Sequence, residues 1–153
     1  MPPLPTKVID VGEGTGCLKP PLVEASTEVI SAPHITLSYC WGGNDSLKLT
    51  ASTIEELRSG ISISQLPKTI QDAIQVVLHL EIRYIRVDAL CILQDSPTDW
   101  AKEAASMSDI CRNSFLTIAA LGASNSEQGL IAQRDPLICT PCWMFNAGMD
   151  DDF

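Results

Sequence analysis

Three groups of side chains have the types and spacing to do chemistry. The first centres on Glu103. At about 100° per residue, Trp100, Ala104, Met107, Ile110 and Cys111 form an apolar helical stripe roughly 120° wide, and Glu103 falls inside it. A carboxylate on an apolar face is costly unless it is paired or placed at a pocket. Glu103 is therefore a candidate catalytic residue, or else the partner of a nearby backbone group or arginine. The second is Asp88, set among Val87, Ala89, Leu90 and Ile92 near the C-terminal end of an apolar strand pattern. In open parallel sheets that end faces the ligand crevice, although a carboxylate there can equally fasten the following loop. The third is Trp41-Gly42-Gly43, at the exit of another strand. The indole can stack on a planar ligand, and it can equally anchor the core beside a turn.

Other groups carry weaker signals. Cys139 and Cys142 form a lone CxxC without the second ligand pair that a zinc site needs. A redox CxxC opens a helix after a strand, whereas this one lies beside Pro141 near the chain end. His34 and His79 have no cysteine or carboxylate pattern around them, so no metal is expected and no Ser-His-Asp arrangement can be built. Gly12-Glu13-Gly14-Thr15-Gly16 is glycine-rich, but no convincing helix follows to cradle a phosphate. No resident cofactor is indicated.

The elements that must position these residues follow from the hydrophobic pattern. Ile35 to Tyr39 alternates as a strand and runs into the Trp41 loop. Ser52 to Ser59 is a short polar helix stopped by Gly60. Leu66, Ile70, Ala73, Ile74, Val77 and Leu80 recur at helical spacing, with Pro67 in the first turn. Arg83 to Leu93 is dense in apolar residues, as a strand covered on both faces should be. Ser96-Pro97-Thr98-Asp99 has the form of a capping box opening a helix that runs to about Arg112. Phe115 to Ala120 is the next strand. Strand, helix, strand, helix, strand predicts one α/β domain: three layers around a largely parallel sheet, flavodoxin-like, with the strands near 35–39, 84–92 and 115–120 side by side. Residues 1–33 form a Pro/Gly-rich lead-in with one edge strand, 34–135 the domain core, and 136–153 an acidic tail with no clear element.

Composition bounds the partners. The 153 residues suit one domain, and 45% hydrophobic with 19% charged is ordinary for a globular chain. A net charge of −9 repels nucleic-acid backbones and anionic lipid surfaces, so neither is expected as a partner. No stretch approaches the roughly 20 apolar residues of a membrane span, and the Met1-Pro2-Pro3-Leu4-Pro5 start lacks secretory features. The expectation is a cytoplasmic protein whose six cysteines are reduced.

Three ordered blocks carry a family likeness. They are Leu37-Ser38-Tyr39-Cys40-Trp41-Gly42-Gly43; Leu66-Pro67-Lys68-Thr69-Ile70 through Asp72-Ala73-Ile74 to the Tyr84–Asp95 segment; and Asp99-Trp100-Ala101-Lys102-Glu103-Ala104 with Met107, Ile110 and Leu116–Ala120. Together they resemble the heterokaryon-incompatibility (HET) domains of filamentous fungi, over residues 6 to 135. Three positions depart from the family pattern: Arg86 stands where Trp is usual, Glu81 where Gly is common, and Cys111 where Tyr is usual. Members of the family ordinarily continue well past the domain, so the chain reads as a short or truncated variant.

The resemblance implies self/non-self recognition and programmed cell death signalling, through protein partners and homo-oligomers. It also implies a distant similarity to Toll/interleukin-1 receptor (TIR) domains, some of which cleave NAD with a helix-borne glutamate. On that analogy Glu103 would be the catalytic carboxylate of an NAD glycohydrolase, with NAD as substrate. Trp41, Gly42, Asp88 and Trp100 would form the ligand-binding walls. A degenerate, inactive copy is the remaining alternative.

Overall fold

The computed structural model describes residues 3–14, 17–25, 31–43 and 47–131. The CxxC pair and the acidic tail lie outside them. Five strands, β1 (Lys7–Asp10), β2 (Leu22–Glu24), β3 (His34–Ser38), β4 (Tyr84–Val87) and β5 (Leu116–Ala119), form one sheet in the order β2-β1-β4-β3-β5. Among the described residues four α-helices accompany them, α1 (Ile54–Ser59), α2 (Lys68–His79), α3 (Asp88–Cys91) and α4 (Pro97–Asn113), with a 3-10 turn at Ile63–Gln65.

β3 lies parallel to both β4 and β5, so the three strands expected side by side form the parallel half of the sheet. The other half is antiparallel: β1 pairs with β2 and with β4. The lead-in thus supplies two strands, and β1 is inside the sheet rather than at its edge. A second correction concerns 83–93. The strand stops at Val87, and Asp88–Cys91 is a buried helical turn. A short apolar run suits a buried helix as well as a buried strand, and hydrophobicity alone does not separate the two.

Pleat alternation gives the sheet two unlike faces. Ile9, Ile35 and Ile85 share one register row, and with Leu37, Val87 and the α2 stripe Ile70, Ala73, Ile74 and Val77 they make the apolar core. Burying side chains of this size stabilises the fold by roughly 1.5–3 kcal/mol each. On the opposite face Arg86, Thr36 and Thr117 form a row, with the two threonine hydroxyls 2.7 Å apart. α4 covers this polar face, and Glu103 is its only buried residue.

The helix ends have local causes. The Ser96 hydroxyl accepts from the Asp99 amide at 3.3 Å and Pro97 occupies the first turn. The Asp99 carboxylate does not complete the box. It accepts instead from the Leu93 amide at 2.9 Å and from Lys7 at 3.0 Å, tying the start of α4 to β1. α2 ends in a Schellman motif: the Ile82 amide donates to Val77 and the Glu81 amide to Leu78. Glu81 has φ +56°, the left-handed conformation that explains the family's glycine at this position.

Candidate functional site

The carboxyl ends of β3 and β4 open onto a cavity of about 130 Å³. Its lining includes Tyr39, Trp41, Arg86, Asp88, Met107 and Thr117. Trp41 and Asp88, singled out from sequence, therefore meet where a ligand crevice belongs in such a sheet. Asp88 follows β4 directly and opens the α3 turn. Burial pushes its pKa up; the neighbouring Arg86 charge opposes this and the Glu103 charge adds to it. Burial likewise raises the Tyr39 phenol, helped by the Asp88 charge. Behind them Cys91 is fully buried and its thiol is pushed up to about 11, chiefly by desolvation, which favours the protonated form. Trp41 is half-buried, with Lys48 Nζ 5.9 Å from its ring centroid.

Glu103 lies elsewhere. It is 2% exposed, and its Oε2 accepts from Arg86 NH2 at 2.8 Å while its Oε1 accepts from the Thr6 hydroxyl at 2.5 Å. It lines a second cavity of about 230 Å³, between the 3–6 segment and α4, together with His34, Lys102, Ser106 and Asp109. Arg86 stands between the two cavities. Its Nη1 donates to the Lys7 carbonyl at 3.1 Å, and its Nε forms a longer ion pair with Asp88 Oδ1 at 3.6 Å. The arginine that departs from the family's tryptophan is thus the counter-ion of the family's glutamate.

The two remaining candidate residues line neither cavity. Trp100 is 55% exposed. Gly42 has φ +71°, and a Cβ there would come 2.7 Å from Asn125 Cβ. Its glycine is explained by the packing of the Trp41 loop on the 122–130 loop, which a second glycine also secures. Gly129 has φ +79°, and its amide and that of Leu130 donate to Thr69 and Asp72 of α2.

Sequence reading missed two contributors. Thr6 gave no signal. His34 is fully buried, and among the described residues neither ring nitrogen has a partner of good hydrogen-bond geometry. Alternation along His34-Ile35-Thr36 places it on the polar face, which was available from the sequence. Burial holds its pKa below the usual value; the Ile110 carbonyl opposes this and the Arg86 charge assists it.

Residues 34–147 match the family model of the heterokaryon incompatibility protein (HET). The chain belongs to that family. No curated protein and no solved structure matches it. The match spans the Trp41 loop, β4 with the Asp88 turn, and α4, which line the first cavity of this HET domain, while the 3–6 segment that walls the second lies outside it. Among the described residues no cluster of His, Cys, Asp or Glu could hold a metal, and no helix is long and apolar enough to cross a membrane.

Proposed function

We propose that this HET domain is a signalling module of fungal incompatibility and cell death, working in the cytoplasm by association with a second copy of itself. The observation that carries this reading is the apolar surface around the sheet edge at β5, which among the described residues pairs with β3 alone. Phe115 is 66% exposed, Leu116 42% and Leu121 94%, on or beside β5, and Trp100 and Met107 of α4 are 55% and 39% exposed. An edge strand with unpaired backbone groups and apolar side chains is a template for pairing with another chain, and the same edge of a second copy fits it antiparallel.

The hydrolase alternative, with NAD as substrate, asks Glu103 to stabilise charge on a bound ribose. In this chain both of its oxygens are engaged and Arg86 neutralises it, which supports the association reading. The test combines light scattering with expression in a fungal cell. Wild type should self-associate with rising concentration and arrest growth. Leu116→Lys should stay monomeric and harmless, and Trp41→Ala or Asp88→Ala should suppress toxicity. Harmless expression of a stably folded wild type would favour the inert-copy reading. Nicotinamide release from NAD by the assembled protein, lost in folded Glu103→Gln, would replace association alone with catalysis.

A further inference from the structure

The two edges of the sheet are unlike. At β2 the outer side is taken. The Pro21 carbonyl serves β1, accepting from the Asp10 amide at 3.0 Å, and the preceding Pro20 carbonyl serves the other side, accepting from the Ile61 amide at 3.0 Å. Neither proline has an N–H to offer an incoming strand. Arg58 and Glu24, 2.7 Å apart, set charges beside this three-residue strand. At β5, among the described residues, the outer side is open. The Ala120 amide donates to the Ser38 carbonyl at 2.9 Å, so by alternation Leu116 and Ile118 turn their backbone groups toward β3 while Thr117 and Ala119 turn theirs outward. From Asn113 to Ser126 the chain carries no Asp, Glu, Lys or Arg, although its net charge is −9. Edge strands are commonly guarded by charge, lysine above all, and this one is not.

We propose that the self-association inferred above, on which this step rests, closes at two copies, with a two-fold axis between paired Ile118 residues. About that axis the Thr117 amide of one copy donates to the Ala119 carbonyl of the other, and the Ala119 amide to the Thr117 carbonyl. The outward backbone groups of both residues are then satisfied. Ile118 meets its own copy across the axis, and Leu116, 42% exposed, meets Ala120. An axis at Thr117 would instead set Ala119 against Phe115, whose amide already donates to the His34 carbonyl at 2.8 Å. Like surfaces meeting about a two-fold must tolerate their own charge, and a neutral edge on an acidic chain does so. The product is one sheet of ten strands, five from each copy, whose outer edges are both β2. Those edges accept no third copy, so growth stops there.

Sedimentation of the full chain, from dilute solution to about 1 mM, reads the limit, because contacts with a Kd as weak as millimolar are populated there. The mass should rise from one chain to two and level off. Hydrogen exchange on the same samples reads the register. The Thr117 and Ala119 amides should exchange freely in the dilute chain and at least about tenfold more slowly in the dimer, while the Ile118 amide is protected in both. Ile118→Cys under mild oxidation should trap a dimer whose linked peptides, identified by mass spectrometry, join position 118 of both copies; Thr117→Cys should trap far less. Should Ile118→Cys fail to fold, mass and exchange on wild type still decide. Mass growing past two chains overturns closure and leaves association standing, whereas a chain monomeric at every concentration removes both. Thr117 and Ala119 protected at every dilution would show the edge covered by another segment of the same chain, and preferential trapping at position 117 would move the axis; each overturns the assignment.

Discussion

Replacing Glu103 by glutamine should damage the fold before it damages any chemistry. The Arg86 and Glu103 side chains are 3% and 2% exposed and meet at 2.8 Å. Removing one member of such a pair leaves a buried charge uncompensated, which costs about 3–5 kcal/mol. Two features move the expectation to the low end. Asp88 stays 3.6 Å from Arg86 Nε, and the glutamine oxygen can still accept one hydrogen bond. A loss of about 3 kcal/mol is therefore expected, a large share of the 5–15 kcal/mol typical of a domain. Urea unfolding followed by tryptophan fluorescence reads it: with a slope near 2 kcal/mol/M, the midpoint should fall by roughly 1.5 M. Arg86→Met with Glu103→Leu removes both charges and should recover to within about 1 kcal/mol of wild type, or exceed it. A Glu103→Gln loss below about 1 kcal/mol, or a double variant as unstable as the sum of its singles, would refute the structural role.

Three further outcomes follow from local geometry. Glu81→Gly should stabilise, because left-handed backbone costs a side chain about 1–2 kcal/mol and glycine returns part of that as entropy. A net gain of roughly 0.5–1 kcal/mol corresponds to a Tm rise of about 2–3 °C in a thermal melt, and a lowered Tm would contradict the Schellman assignment. Gly129→Ala should lower the urea midpoint by the equivalent of roughly 1–3 kcal/mol, since a Cβ there meets Asp72 Oδ2 at 2.5 Å; an unchanged midpoint would show that the loop is not anchored on α2. Acidification should destabilise through His34, whose folded pKa lies below its ordinary 6.5. The unfolded chain binds that proton first, so stability is full above about pH 6.5 and falls beneath it by at most about 1.4 kcal/mol per pH unit. Melts from pH 7.5 to 5.5 should show this slope, and His34→Leu should flatten it.

What was legible in the sequence depended on range. The α2 stripe, the Ser96-Pro97 helix start and the alternation of β3 are encoded within a few residues, and each element formed within two residues of its expected bounds. The pairing that puts β1 against β4 joins Ile9 to Ile85 and Asp10 to Tyr84, far apart in the chain, and no local pattern announces it. The same limit applied to the site. Glu103 was visible as a carboxylate out of place on an apolar stripe, because that is a property of one helix. Its partner, 17 residues away on β4, was read only as a departure from the family. The Asp88 turn failed for another reason: four apolar-flanked residues are too few for periodicity to separate strand from helix.

The two faces of the sheet are held by different forces. Against α2 the sheet buries isoleucine, valine and leucine, an attraction proportional to area and indifferent to direction. Against α4 it offers Arg86, Thr36, Thr117 and His34, and the helix answers with one buried carboxylate. An ion pair of this kind fixes where α4 sits but adds little net stability, because desolvation offsets most of the attraction. Lys7–Asp99 and Thr6–Glu103 act in the same directional way at the start and middle of the helix. α4 is therefore held on the sheet by a few directional contacts, whereas α2 is held by apolar area. A buried arginine in place of tryptophan thus trades an apolar anchor for a directional contact, the Arg86–Glu103 pair, which fixes where α4 sits.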